Sequence, residues 1–397
     1  MEVDVFRRLL TGEGQRLLAE ATAAYDEREA LALSMRLRRT YDADLVAAAM
    51  SQIELRGRAA RKFGADAARM YFTPDGLEQA THGVVARHRA KRVGRLEPAT
   101  LLDLGCGIGS DIVALARLGA GVTGVDRDPT TASVGQGNLD ALGLAGRVYV
   151  AEAAEVDRQG ADVVFADPAR RAGSRRLFDP NAYSPSWAFV EYLLAGTAVV
   201  KTAPGIPHRL VPPGVEAEWV SLDRRLKEAT LWSGGLAECR RRATVLTTDG
   251  QVTTVTDADD PATAPVAAVG RYVYEPDDSV VRSHLVTVVL DRVDGWLLDP
   301  HLAYVSSDVL RATPLARAFE VVETLPFKEK ALRSALRARD VGPLTIKKRG
   351  VDVAPDRLRR RLGLRGHRPA TIILTRTTGS AVALLVQPLA RDREPAP

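Results

Sequence analysis

The chain has 397 residues, 46% of them apolar and 26% charged, which is the composition of an ordinary globular protein with room for two or three domains. Its two cysteines, Cys106 and Cys239, are too few for a disulfide framework or a cysteine-rich zinc site, and no apolar run approaches the roughly 20 residues of a membrane helix. We therefore expect a protein of the reducing cytoplasm.

The positive charge is concentrated near the end of the chain. The net charge is +5, but residues 328–397 contain 17 lysines and arginines against six acidic residues, so this tail carries +11 and the rest of the chain about −6. A surface of this sign favours a polyanion such as RNA as partner. A basic surface that contacts only water would have the same composition.

The first 95 residues are predicted to be helical. Leu, Ala and Met recur at three- and four-residue spacing, with almost no Gly or Pro inside the pattern. The stretch FTPDGLEQATHGVVARHRAKR contains a helix start, because Thr73 can cap a helix and Pro74 suits its first turn. We expect a bundle or cap in this region.

From 96 to 247 the pattern changes to short β-branched runs separated by helical segments, which predicts an α/β fold with a doubly wound, mostly parallel sheet of Rossmann-like type. We expect the last two runs to pair as an antiparallel hairpin at one edge. The runs are TLLDLG, GVTGVD, RVYVAE, DVVFAD, TAVVKT, AEWVSL, EATLWS and ATVLT.

The stretch LLDLGCGIGSD carries the cofactor signal. Gly105, Gly107 and Gly109 follow a strand directly, and glycine lets the backbone adopt positive φ and approach a ligand closely. Dinucleotide enzymes use G-x-G-x-x-G. The G-x-G-x-G here, preceded by Asp103, resembles class I S-adenosylmethionine methyltransferases over residues 96–247. The resemblance implies that S-adenosylmethionine is the cofactor, with Asp103 beneath its methionine end and the glycines along it.

Two further strand ends carry acidic residues. Asp126 ends GVTGVD about twenty residues after the glycines, where a carboxylate can accept hydrogen bonds from both ribose hydroxyls. Glu152, after the third strand, occupies the place of the adenine-contacting acid in the class I pattern, and Glu155 is an alternative. Any one of these acids alone could instead be a helix cap.

The stretch FADPARR ends the fourth strand and contains the candidate catalytic residues. Methyl transfer requires alignment of the acceptor and removal of a proton, not a protein nucleophile. The carboxylate of Asp167, or the carbonyl of Pro168, can accept hydrogen bonds from an exocyclic amine. The comparable tetrapeptide of amino-group methyltransferases of nucleic acids is Asp/Asn-Pro-Pro-aromatic, whereas Ala169 and Arg170 stand here. Alternatively, Asp167 only caps the next segment.

Several residues near this strand edge are candidates for substrate binding. Arg170 and Arg171, in a loop that also holds Arg175 and Arg176, can stack on a base or bind phosphate, or can simply be solvated. Lys201 ends the fifth strand and is expected near the same edge. Candidate stacking side chains, each with core or lid as the alternative, are Tyr71, Phe72, Tyr183 and Trp187.

Beyond the sheet we expect a turn and linker over 247–270, and then a small module with a strand-like LVTVVLDRV. The last unit, about 318–390, reads strand, helix, strand, helix, strand, strand, which predicts a small α+β sandwich. Lys347, Lys348 and Arg349 end one of its strands, and arginines fill the following helix. Such cations supply phosphate contacts without sequence specificity.

Taken together, the stretches RKFG, FTPDGLEQAT, DPARR, YEPDDSVVR, IKKRG and TRTTGSAVALLVQP resemble the bacterial THUMP-like domain-containing methyltransferases over nearly the whole chain. The resemblance implies methylation with S-adenosylmethionine and RNA, either tRNA or rRNA, as substrate. Alternatives are a methyltransferase of a small molecule or protein, and an RNA-binding protein with a vestigial methyltransferase fold. The implied domains are helical (1–95), class I methyltransferase (96–247), ferredoxin-like (265–315) and THUMP-like (318–390).

Overall fold

The computed structural model describes residues 2–170, 183–378 and 380–389, and the chain forms two compact units. Among the described residues, none of the helices combines the length and the apolar character that a membrane span requires. Unit 1 comprises Met1–Ala217, Glu228–Arg240 and Thr248–Gly250, and unit 2 comprises Glu218–Lys227, Arg241–Thr247 and Gln251–Pro397.

The beginning of unit 1 is helical, as the sequence predicts. Local capping explains where its helices start: Thr11 and Thr73 accept hydrogen bonds from Gly14 and Gly76, and Pro74 opens its helix. Apolar side chains on the inner faces of the first five helices form one core, whereas those of the sixth helix pack with the sheet. The helices are α1 (Val3–Leu9), α2 (Gly12–Ala23), α3 (Ala30–Leu37), α4 (Ala43–Phe63), α5 (Pro74–Gln79) and α6 (Gly83–Val93).

An α/β sheet follows in unit 1. Its elements are β1 (Thr100–Leu104), α7 (Ser110–Ala116), β2 (Gly121–Asp126), α8 (Pro129–Leu142), β3 (Arg147–Val150), β4 (Val163–Ala166), the short pair β5 (Ala169–Arg170) and β6 (Tyr183–Ser184), α9 (Trp187–Leu194), β7 (Ala198–Thr202), β8 (Glu216–Leu222) and β9 (Arg225–Trp232). The chain passes into unit 2 within β8 and returns within β9.

The strand order β3-β2-β1-β4-β7-β9 places the site. Strands β3, β2, β1, β4 and β7 are parallel, and β9 runs antiparallel to β7. Successive strands are added on one side up to β3 and on the other side from β4, so the order reverses between β1 and β4. Leu104 pairs with Ala166 there. Ligands of such sheets bind at the carboxyl ends of the strands beside this reversal.

The predicted hairpin between EATLWS and ATVLT is wrong. The first of these runs is β9, which pairs with β7, and the second is β10 (Arg241–Leu246), which forms its hairpin with β11 (Val252–Thr256). Strand β11 lies inside the segment predicted as a linker. Its Thr and Val residues suit an extended strand, but the Asp, Ala and Pro residues that follow them hid this signal.

Unit 2 contains a second mixed sheet with the strand order β13-β14-β12-β15-β18-β17-β16. The predicted helices and strands of the tail are all present. Since β12 pairs with β15, the predicted ferredoxin-like and THUMP-like segments share this sheet. The elements are β12 (Tyr272–Pro276), α10 (Asp278–Arg282), α11 (Val286–Val293), β13 (Trp296–Asp299), β14 (Leu302–Ser307), β15 (Ala316–Pro326), α12 (Glu329–Ala338), β16 (Val341–Lys348), α13 (Pro355–Leu362), β17 (Arg368–Thr377) and β18 (Ser380–Pro388).

The strand predicted at LVTVVLDRV is also wrong, because this stretch forms α11. Leu285, Val288, Val289 and Val293 are buried, and their spacing is that of one helical face. The β-branched composition favours a strand, but burial of this face in a core of unit 2 outweighs the small helix-propensity cost of valine.

Candidate active site

The glycine loop after β1 has the backbone that the sequence predicts. Gly105, Gly107 and Gly109 adopt φ values of 87°, 58° and 92°, a region that favours glycine. A Cβ atom added at Gly107 would meet nothing within 4 Å, so the loop borders open space. Asn138 of α8 supports the loop by donating a hydrogen bond of 2.7 Å to the carbonyl of Ile108.

Asp103 lies beneath this loop and is only 1% exposed. Neither of its carboxylate oxygens has a hydrogen-bond partner among the described residues. Burial raises the pKa of Asp103 well above its usual value, and the negative charges of Asp111 and Asp167 add to the effect. An unpartnered buried acid at this point is suited to a ligand donor, and its contact with the methionine end of the cofactor stays a prediction.

Asp126 lies at the end of β2 and faces the glycine loop. One carboxylate oxygen accepts from the backbone N–H of Gly107 at 3.1 Å, and the other accepts from that of Asp128 at 2.9 Å. Each oxygen keeps a second lone pair for a ribose hydroxyl. Burial raises the pKa of Asp126 above its usual value. Glu152 and its alternative, Glu155, are both exposed just after β3.

Asp167 lies directly beside the glycine loop. A Cβ atom added at Gly105 would lie 3.6 Å from the backbone oxygen of Asp167, and the Asp167 N–H donates to the carbonyl of Leu104 at 3.4 Å. The side chain of Asp167 is 40% exposed, and one carboxylate oxygen forms an ion pair with Lys201. The carboxylate is therefore held on one side and open to solvent on the other.

Lys201 joins Asp167 to a second acid below it. Its ammonium donates to the hydroxyl of Thr81 at 2.7 Å and lies 3.6 Å from Asp111. Burial alone would lower the pKa of Lys201, but Asp167 and Asp111 raise it above its usual value. Lys201 is thus a buried cation. It lies at the sheet edge where the sequence predicts it. Its hydrogen bond and ion pairs are with the side chains of Thr81, Asp111 and Asp167, and contact with a substrate stays a prediction.

A buried ionic network continues from this point and was missed in the sequence. Arg89 of α6 forms ion pairs with Asp111 of α7 and with Glu228 of β9, and all three side chains are nearly inaccessible. The Arg89 guanidinium also lies 5.1 Å from the ring centre of Phe165 in β4. Arg89 and Arg92 of HRAKR are buried and Lys91 is exposed, and nothing in this local stretch distinguishes the buried arginines from an exposed cation.

The structure describes some of the other candidates near strand β4 and not others. Pro168 is buried, and the backbone of Arg170 pairs with that of Tyr183. Arg171, Arg175 and Arg176 lie outside the described residues. Tyr71 and Phe72 are buried in the helical core and Trp187 is buried in α9, so these rings are structural.

The predicted basic residues of unit 2 lie at the end of β16. Lys347 is ion-paired with Glu275 at 2.6 Å, and the guanidinium of Arg349 lies 5.4 Å from the ring centre of Tyr304. Lys348 is exposed and has no partner among the described side chains. Binding of RNA by these three residues stays a prediction.

Comparison with known proteins gives the family. An uncharacterized S-adenosylmethionine-dependent methyltransferase of Mycobacterium tuberculosis strain CDC 1551 is 40% identical over 335 residues, which cover 81% of this chain and 90% of the relative. An equally similar relative of the same name occurs in strain H37Rv. The chain belongs to this family of S-adenosylmethionine-dependent methyltransferases.

Two domain families match parts of the methyltransferase. The family described as THUMP domain-like matches residues 316–388, and a domain of unknown function matches residues 2–59. A crystal structure from Porphyromonas gingivalis W83, provisionally named a methyltransferase, superposes with a TM-score of 0.71 at 21% identity and covers 92% of this chain and 100% of that one. This likeness shows a shared fold.

The methyltransferase therefore uses S-adenosylmethionine, and the residues at the glycine loop fit this cofactor. All three glycines adopt positive φ, and the loop borders open space at Gly107. Asp126 keeps free lone pairs beside the loop, and Asp103 is an unpartnered acid beneath it. The roles of the individual residues stay predictions.

Proposed function

We propose that this methyltransferase methylates an exocyclic amine of a base in structured RNA, either tRNA or rRNA. The observation that supports the amine most directly is the half-open carboxylate of Asp167 next to Gly105. A carboxylate there can accept a hydrogen bond from an amine at the point where the cofactor loop begins. It would act as an orienting group and need not become a nucleophile.

The chemistry is a single displacement. S-adenosylmethionine supplies a methyl group bound to positively charged sulfur. The carbon–sulfur bond breaks as the carbon–nitrogen bond forms, and the nitrogen then loses one proton. Asp167 accepts a hydrogen bond from the amine and so directs the nitrogen lone pair at the methyl group, while Lys201 holds the carboxylate in place. The released proton passes to water, either directly or through Asp167.

Features of unit 2 support RNA as the substrate. A THUMP domain-like match covers residues 316–388, and this segment carries most of the positive charge of the tail. In α13, Arg357 and Arg360 are exposed and have no ion-pair partner among the described residues. Free arginines of this kind bind phosphate oxygens through two parallel hydrogen bonds.

A transfer assay with a labelled methyl group tests the proposal. RNA from cells that lack the gene is the acceptor, and a protein fraction and a small-molecule fraction of the same cells are assayed in parallel. We expect label in RNA only. Asp167→Ala is expected to lower the rate about 100-fold or more, since it removes the orienting acceptor. Asp167→Asn keeps an acceptor oxygen and should lose less.

Label in the protein or small-molecule fraction alone would contradict the RNA assignment. Equal rates for Asp167→Ala and wild type would contradict the role of Asp167. Binding of S-adenosylmethionine by both variants, measured by calorimetry, is the control for an intact cofactor site.

A further inference from the structure

A cavity of about 320 Å³ lies in unit 1, between the end of α4 and the beginning of α6. Its wall contains the stretch RKFG, residues 61–64, together with His82 and Arg87. We call it the RKFG cavity. This stretch contributes to the family resemblance, but it has no part in the cofactor loop or the Asp167 site.

Two arginines on the wall are free to bind a ligand. Arg61 and Arg87 are exposed, and neither has a hydrogen-bond or ion-pair partner in the part of the chain that the structure describes. The Arg87 guanidinium folds back over the start of its helix, where a Cβ atom added at Gly83 would lie 3.1 Å from its Nη1 atom. A guanidinium group without a carboxylate partner is a ready donor to a phosphate group.

The charge around the RKFG cavity is positive. The Lys62 ammonium donates to the backbone carbonyls of Leu77, Glu78 and Ala80, at 2.7, 3.1 and 2.6 Å. Asp66 is the acid on the described wall, and Arg117 neutralises it through an ion pair of 2.8 Å. Since the cavity adjoins the negative end of α4 as well as the positive end of α6, the helix dipoles roughly cancel. The side-chain cations therefore determine what binds.

The RKFG cavity and the Asp167 site flank one short segment. Lys62 binds carbonyls of residues 77–80 from the cavity side. The next residue, Thr81, donates to Asp111 at 2.6 Å and accepts from Lys201, which holds Asp167. A strand of RNA with its target base at Asp167 would therefore pass its backbone close to the cavity.

We infer that the RKFG cavity binds a phosphodiester group of the RNA substrate, with Arg61 and Arg87 as its ligands. This inference rests on the proposed function, because it names how unit 1 contacts the same RNA. Each guanidinium presents two parallel N–H donors to phosphate oxygens, and the contact positions the backbone without reading the base sequence.

Binding of bulk tRNA and rRNA fragments, measured by fluorescence anisotropy over a series of salt concentrations, tests the inference. The plot of log affinity against log salt should be less steep by about 2 for Arg61→Ala/Arg87→Ala, because two phosphate contacts are lost. Arg61→Lys/Arg87→Lys keeps the charge and should restore most of the slope. Arg36→Ala/Arg39→Ala, which removes two exposed arginines elsewhere in unit 1, should leave the slope near that of wild type.

The outcomes separate the inference from the proposed function. If the wild type binds RNA and Arg61→Ala/Arg87→Ala keeps its slope, or if both alanine pairs lose the same slope, the inference is overturned and the proposed function stands. If inorganic phosphate binds the wild type but not Arg61→Ala/Arg87→Ala, while RNA binding is unchanged, the cavity is a free-phosphate site. If the wild type binds no RNA, both fail. Cofactor affinity and melting temperature should be unchanged throughout.

Discussion

Asp103 is a buried carboxyl group whose position carries a cost that depends on pH. Because desolvation raises its pKa in the folded protein, the folded state binds its proton more tightly than the unfolded state does. Its contribution to stability therefore falls as the pH rises above the ordinary aspartate pKa of about 4. The amide of Asp103→Asn does not titrate, so the stability of this variant does not fall with pH for this reason.

We accordingly expect the melting temperature of Asp103→Asn, relative to wild type, to rise between mildly acidic and mildly alkaline pH. Thermal unfolding followed by circular dichroism at several pH values measures this difference. A difference that is the same at every pH would mean that Asp103 does not titrate abnormally in the folded protein.

Asp126 is the second residue whose predicted role can be isolated. Loss of its carboxylate removes hydrogen bonds to a charged acceptor, each worth about 1.5–3 kcal/mol. We expect Asp126→Ala to weaken the binding of S-adenosylmethionine about 10- to 100-fold by calorimetry. Asp128→Ala is a matched control, since this acid caps α8 through the N–H of Thr131 and should affect stability more than affinity. Unchanged affinity in Asp126→Ala would remove it from the ribose site.

At the scale of elements, strand ends were predictable and buried charges were not. The glycine motif, Asp126 and Asp167 each follow an apolar run, and parallel strands bring their carboxyl ends to one edge, so the sequence alone predicts their proximity. Lys201 also lies close to Asp111, which belongs to another element, and no local pattern in the sequence indicates this contact. The sequence predicts a strand at α11 because valine favours strands locally. The burial of one face of this segment, which stabilises a helix, is a tertiary property that the local sequence does not show.

The Arg89 network joins α6 to α7 and β9, and its integrity is a prediction at this scale. Arg89→Met would leave Asp111 and Glu228 buried without their shared partner. Breaking one side of a buried ion pair typically costs about 3–5 kcal/mol. We expect a loss of unfolding free energy in this range by chemical denaturation.

Arg87→Ala is the control on the same helix. This side chain is exposed and unpaired among the described residues, so the change should stay within about 0.5 kcal/mol. Similar stabilities for Arg89→Met and Arg87→Ala would show that the network is not a structural link.

At the scale of the whole molecule, the uneven charge predicts how RNA binding responds to salt. Replacing the free pair Arg357 and Arg360 by alanine should reduce the salt slope of RNA affinity by about 2. Arg359 and Arg361 form a matched pair on the same helix that is already ion-paired, with Asp356 at 2.6 Å and Glu329 at 2.8 Å. Their replacement should change the slope less. Equal changes for both pairs would mean that only the net charge of α13 matters.

The proposed methylation of RNA is tested most directly by mass spectrometry of nucleosides from purified tRNA and rRNA, comparing cells with the gene and cells without it. We expect one base-methylated nucleoside to disappear in the absence of the gene, to return with the wild-type gene, and to remain absent or strongly reduced with Asp167→Ala. Identical nucleoside profiles in all strains, for both RNA classes, would contradict the proposal.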